Sequence, residues 1–186
     1  MLVQAGPDHL GPIIQTAADV AITGVVCTAA WCDVTAHRIP NWLSVTGLAA
    51  AFLLRAPGGV AATIEGLEGA LIALTIGLVL YALRAIGGGD VKLLAAVGAF
   101  LGFPDVVGGL ALMAVLGGAF ALASMIRKGL LPLLIFNTVD LIKSWRSLGR
   151  AGQLRTLESP AALTIPYGVP IAVGTLIWWF AGGVRV

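Results

Sequence analysis

The chain has 186 residues, 59% of them hydrophobic and 11% charged, with a mean hydropathy of +0.99 and a formal net charge of +2. These values exclude an ordinary soluble domain and describe an all-α, polytopic membrane protein, because lipid offers backbone amides no partner outside a helix. So small an excess of positive charge gives no ground for nucleic-acid binding, and the bilayer itself is the expected partner.

A helix needs about twenty residues to cross a bilayer, and the apolar runs divide the chain accordingly. Met1 to Gly11 has no basic region and carries Asp8, which does not fit a cleavable signal peptide. Ile13 to Cys32 makes a first span, with Asp19 as its one charged residue. The polar stretch Asp33 to Arg38 follows, and Ile39-Pro40-Asn41 marks a turn. Trp42 to Leu54 is the second apolar segment, closed by Arg55 and the turn Pro57-Gly58-Gly59.

The third runs from about Leu67 to Ala85, with Glu65 and Glu68 at its beginning, where a helix N-terminus favours negative charge. Gly87-Gly88-Gly89-Asp90-Val91-Lys92 interrupts the apolar pattern with three glycines, an acid and a base. Val91 to Phe103 is a fourth segment, short for a full span and stopped by Pro104. Val106 to Ile126 is the fifth, and its Gly108, Gly109, Gly117 and Gly118 suit close helix packing in lipid.

Arg127 to Pro160 is a polar connection, within which Leu133 to Leu148 reads as an amphipathic helix on the membrane surface or packed over the bundle's loops. Leu163 to Gly182 is the sixth segment, interrupted by Pro166-Tyr167-Gly168 and Pro170. Trp178 and Trp179 suit the far membrane interface. The expected architecture is one membrane-embedded domain over residues 1–186, a bundle of about six transmembrane helices.

Six spans put both termini on one side. Nine of the eleven basic residues fall in alternate connections: Arg38, Arg84, Lys92, Arg127, Lys128, Lys143, Arg146, Arg150 and Arg155. The positive-inside rule makes those connections cytoplasmic and both termini external. Asp33 and Asp90 then share the cytoplasmic boundary.

For Asp90 two readings stand side by side. Ionisable groups beside lipid are costly and usually functional, whereas a glycine turn capped by Asp90 with Lys92 as an interfacial anchor is the structural alternative. A second acid at the same depth favours function. Two carboxylates held close cannot both ionise comfortably, so they share a proton. The ionised one can take a proton from water while the protonated one polarises a peptide carbonyl, which is aspartic proteolysis without metal or other cofactor. Cys27 and Cys32 form no zinc set, His9 and His37 are isolated, and no other nucleophile motif occurs.

Asp33-Val34-Thr35-Ala36-His37-Arg38-Ile39-Pro40-Asn41 resembles the first-aspartate motif of the type IV prepilin peptidases. Gly87-Gly88-Gly89-Asp90-Val91-Lys92-Leu93 resembles their second, G-x-G-D followed by Val-Lys-Leu, and Pro166-Tyr167-Gly168-Val169-Pro170 is similar to a stretch near their C-terminus. The resemblance covers most of the chain, Cys32 to Gly174, and the two aspartate motifs in this order are its specific part. It implies that Asp33 and Asp90 are the catalytic pair. Gly87 and Gly89 would admit the substrate backbone or a neighbouring helix. Lys92 would anchor its helix or bias the pair.

The implied substrate is a membrane-inserted prepilin precursor cut at the cytoplasmic face of a bacterial inner membrane. Longer members carry a cysteine-bearing insert associated with N-methylation. Asp33 directly follows the first apolar run, so the chain is similar to the short form of tight-adherence (Flp-type) pilus systems, without methyltransferase activity; archaeal preflagellin peptidases share the aspartate motifs. The alternative is a small proton- or ion-coupled transporter with Asp33 and Asp90 as relay carboxylates. Against that reading, the acids lie at one boundary and the halves show no repeat.

Overall fold

The computed structural model describes residues 11–83, 85–127, 167–182 and 186. Among them are six α-helices: α1 (Gly11–Ala36), α2 (Asn41–Arg55), α3 (Gly59–Ala82), α4 (Gly88–Leu101), α5 (Asp105–Arg127) and α6 (Gly168–Gly182). By length and hydropathy, Gly11–Ala36, Asn41–Ala82 and Asp105–Arg127 are able to cross a bilayer. The second of these stretches is divided into α2 and α3 by a short 3-10 turn at Ala56–Gly58. The expected multi-helix membrane bundle is what the chain forms.

Two units are distinguishable by internal packing. One comprises residues 1–117 and 166–186, and the other Gly118–Ile165. Within the second, the described part is the last turns of α5, ending at Arg127. The expected surface helix at Leu133–Leu148 and the opening residues of the sixth segment, Leu163 to Pro166, lie outside the described residues.

The first unit is arranged around α4. Its 14 residues extend only about 21 Å at 1.5 Å per residue, less than a bilayer's hydrocarbon thickness of about 30 Å. The helix is enclosed by protein instead, with Val91, Leu93, Leu94 and the run from Ala96 to Leu101 buried. In lipid, apolar side chains gain little by leaving the solvent, so close van der Waals contact must hold such a helix. Small residues provide that contact. The buried face of α3 is Gly66, Gly69, Ala70, Ala73 and Gly77, and a Cβ at Gly69 or Gly98 would collide with the other residue's carbonyl oxygen.

Both ends of α4 are satisfied by ionisable side chains of the sign that its dipole favours. Asp90 stands in the first turn, and Arg55 arrives at the other end, 2% exposed. Its Nε donates to the Ala99 carbonyl at 2.8 Å and its Nη2 to that of Phe100 at 2.9 Å. Its Nη1 donates to the Ala62 carbonyl at 3.2 Å and stands 3.7 Å from Glu65 Oε2. The last carbonyls of a helix have no partner within it, and a cation there also complements the macrodipole. Arg55, read from the sequence only as the end of a span, is thus a buried cap.

The structure moves three further expectations. Helix α1 continues to Ala36, so Asp33 is the last member of the buried stripe Ala18, Ile22, Val26, Ala29, Asp33, whose three- and four-residue spacing is one helix face. Helix α3 begins at Gly59, directly after the 3-10 turn, which leaves no acid in its first turn; Glu65 and Glu68 lie further inside. Trp179 is no interface residue: it is 2% exposed, meets Phe100 edge-on at 6.2 Å, and donates from Nε1 to Asp19 Oδ1 at 2.7 Å. Trp178 likewise packs on protein, against Gly108 where a Cβ would not fit.

Candidate active site

Asp33 and Asp90 arrive by different routes. The apolar stripe of α1 faces the bundle, and the residue one turn beyond Ala29 on that face is Asp33, which is 8% exposed. Helix α1 then stops: His37 takes the left-handed φ of 49°, and Ile39, restricted by the following proline, cannot continue it. Pro40 supplies the extended residue ahead of α2. Asp90 is brought in by the glycines that open α4, with Gly87 as the extended residue ahead of it. It too is 8% exposed.

The two carboxylates line one cavity of about 640 Å³. Its remaining walls are Ala36 to Asn41 from the first motif and Gly87, Gly88 and Gly89 from the second. Each carboxylate is held through Oδ2 by a glycine amide. Gly87 N–H donates to Asp90 at 3.0 Å, and Gly168 N–H donates to Asp33 at 2.6 Å. Asp90 precedes the apolar run of α4. Burial pushes its carboxyl up to about 6; the Gly87 amide opposes the rise, and the nearby charge of Asp33 adds to it. A carboxyl so displaced carries its proton into the range where acid-base chemistry operates near neutrality.

Two contacts join the motifs to each other. At Gly89 a Cβ would stand 3.2 Å from Ile39 Cβ and 3.5 Å from the Ile39 backbone nitrogen and oxygen. The glycine therefore admits the Ile-Pro-Asn backbone itself. Lys92 Nζ donates to Asn41 Oδ1 at 2.8 Å, so the base expected at the headgroups reaches a protein partner. At Gly87 a Cβ would sit 3.4 Å from Asp90 Oδ2, an ordinary contact, and its amide matters more than its lack of a side chain.

Sequence reasoning missed two groups of the site: the Asn41 side chain and the Gly168 amide. Both signals were present, since Asn41 closes Ile-Pro-Asn and Gly168 closes Pro-Tyr-Gly. Neither motif says what its members touch. Among the described residues no three His, Cys, Asp or Glu side chains cluster as a metal set would.

A family model of the type IV leader peptidase family matches residues 20–122. The chain belongs to that family. The matched stretch is more than half of the sequence and contains both aspartates with all their cavity neighbours, whereas α6 and Gly168 lie beyond it. As a leader peptidase of this family, the protein is a membrane-embedded peptidase with prepilins as its general substrate class. Neither a curated protein nor a solved structure gives a match to the chain.

Proposed function

We propose that this leader peptidase is an aspartic endopeptidase in which Asp33 and Asp90 together activate water and polarise the scissile carbonyl. The observation that carries the reading is the common cavity: two buried carboxylates from distant parts of the chain line it, each anchored by a backbone amide. Among the described residues no hydrogen bond is made to Oδ1 of either carboxylate, which suits contact with water or substrate. Two carboxylates sharing a site titrate as a pair, with one proton retained over a range of pH. Hydrolysis by such a pair passes through no covalent intermediate.

The substrate in this reading is a Flp-type prepilin whose basic leader stays at the cytoplasmic face, where the Lys/Arg bias puts the dyad end. The cavity lining includes His37, Arg38 and Asn41, polar residues suited to a peptide entering from the membrane boundary. Asp33 belongs to α1 itself, and between that helix and the first aspartate there is no room for a methyltransferase insert. Cleavage without methylation is the corresponding activity.

The test is co-expression with a Flp-type prepilin precursor. Asp33→Asn and Asp90→Asn should each lower cleavage by about 1,000-fold or more while the protein remains inserted and folded. Mature pilin at normal levels with either variant would rule out the dyad.

A further inference from the structure

The Gly168 amide makes the shorter of the two hydrogen bonds to the dyad among the described residues. Asp33 is poorly served by its own helix. It lies in the last turns of α1, where amides are committed to carbonyls one turn back and the negative end of the dipole opposes a carboxylate. The donor comes from 135 positions away: Gly168 N–H, the first residue of α6, 2.6 Å from Asp33 Oδ2. A free amide at the positive end of α6 offsets what the end of α1 imposes.

The side-chain position at 168 is equally constrained. A Cβ there would stand 2.9 Å from both Asp33 Cβ and Asp33 Oδ2, and 3.2 Å from Cγ. No rotation of the added group relieves this, because the collision is with Cβ itself. The carboxylate and the start of α6 therefore occupy positions that only a glycine at 168 permits.

We propose that Gly168 is a positioning residue for the peptidase reaction: its amide holds Asp33 Oδ2 and its missing side chain lets α6 seat the carboxylate facing Asp90. The inference rests on the dyad reading above. It assigns α6, beyond the family-matched region, a direct part in setting the geometry of the site.

Two variants of the full chain, purified in detergent and assayed on a Flp-type prepilin precursor, separate the two elements. Gly168→Ala fills the space. Glycolic acid at position 168, introduced by cell-free translation with a chemically acylated tRNA, replaces the amide N–H by an ester oxygen and adds no atom. Displacing a reacting group by about 1 Å costs roughly 100-fold in rate. Both variants should lose kcat on that scale, with KM changed less than about two-fold.

The two limbs of the kcat pH profile should also move relative to wild type, because a displaced Asp33 couples differently to Asp90. Wild-type kcat and pH limbs in the ester variant would overturn the proposal, as would a loss of rate matched by a loss of folded protein in both variants. Asp33→Asn is the control arm. If it cleaves normally, the dyad reading itself fails; if it is inactive while both Gly168 variants behave as wild type, only the positioning role fails.

Discussion

Lys92 Nζ donates a 2.8 Å hydrogen bond to Asn41 Oδ1 and so ties the fifth residue of α4 to the first residue of α2, across 51 positions of sequence. Together with the approach of Ile39 to Gly89, it joins the two segments that form the walls of the dyad cavity. The walls are thus linked to each other and not only to the bundle.

Removal of this link should therefore act on cleavage more than on folding. Both side chains are exposed, and a hydrogen bond from a charged donor is worth about 1.5 kcal/mol, or roughly ten-fold. Lys92→Met and Asn41→Ala are each expected to lower kcat/KM on that scale. The double variant should lose little more than either single one, because both remove the same contact. Additive losses in the four-way cycle would show that the two residues act separately.

The displaced carboxyl of Asp90 gives stability a defined pH dependence. Its folded value, about 6, lies above its ordinary value of 3.8, so the folded state binds the proton more tightly than the unfolded chain. Below about 4 both states are protonated and the group contributes nothing. Between about 4 and 6 its contribution becomes unfavourable as pH rises, and above 6 the whole penalty is present. Asp90→Asn removes the charge and keeps an acceptor for Gly87. The Tm of this variant relative to wild type should therefore be higher at pH 7.5 than at pH 4.5, in thermal melts in detergent. An equal difference at both pH values would contradict the account.

Arg55 supplies a prediction confined to stability. Arg55→Met keeps the apolar stem but strands the Ala99 and Phe100 carbonyls and leaves Glu65 without its cation. A loss of about 3 kcal/mol is expected, on the scale of a buried acceptor left unsatisfied. Arg55→Lys should recover part of it, since an ammonium lacks the fork that reaches two carbonyls at once. Equal stability of Met and Lys variants in denaturant titrations would show that charge is immaterial there.

Much of the architecture was legible because lipid restricts the choices. An apolar run beside lipid must be helical, so six apolar runs implied a helical bundle, and the positions of glycine implied close packing. Boundaries were less legible. Asp33 to Ala36 is polar enough to read as a loop, yet α1 includes it, because a helix whose buried face ends in a partnered carboxylate need not stop at the edge of its apolar residues. The start of α3 was placed late for the reverse reason, since Glu65 resembled an N-terminal acid until Arg55 proved to lie against it.

Composition and apolar run lengths were enough for a membrane-embedded helical bundle, and the two aspartate motifs carried the resemblance that pointed to Asp33 and Asp90, since those features are local and survive without knowledge of neighbours. The tertiary structure alone decided what those residues touch: Gly168 on Asp33, Asn41 on Lys92, Arg55 on the end of α4, Trp179 on Asp19. Each of these is a contact between positions far apart in the chain. Two of the four end on a backbone amide or carbonyl, a group that every residue carries and that no residue name reveals.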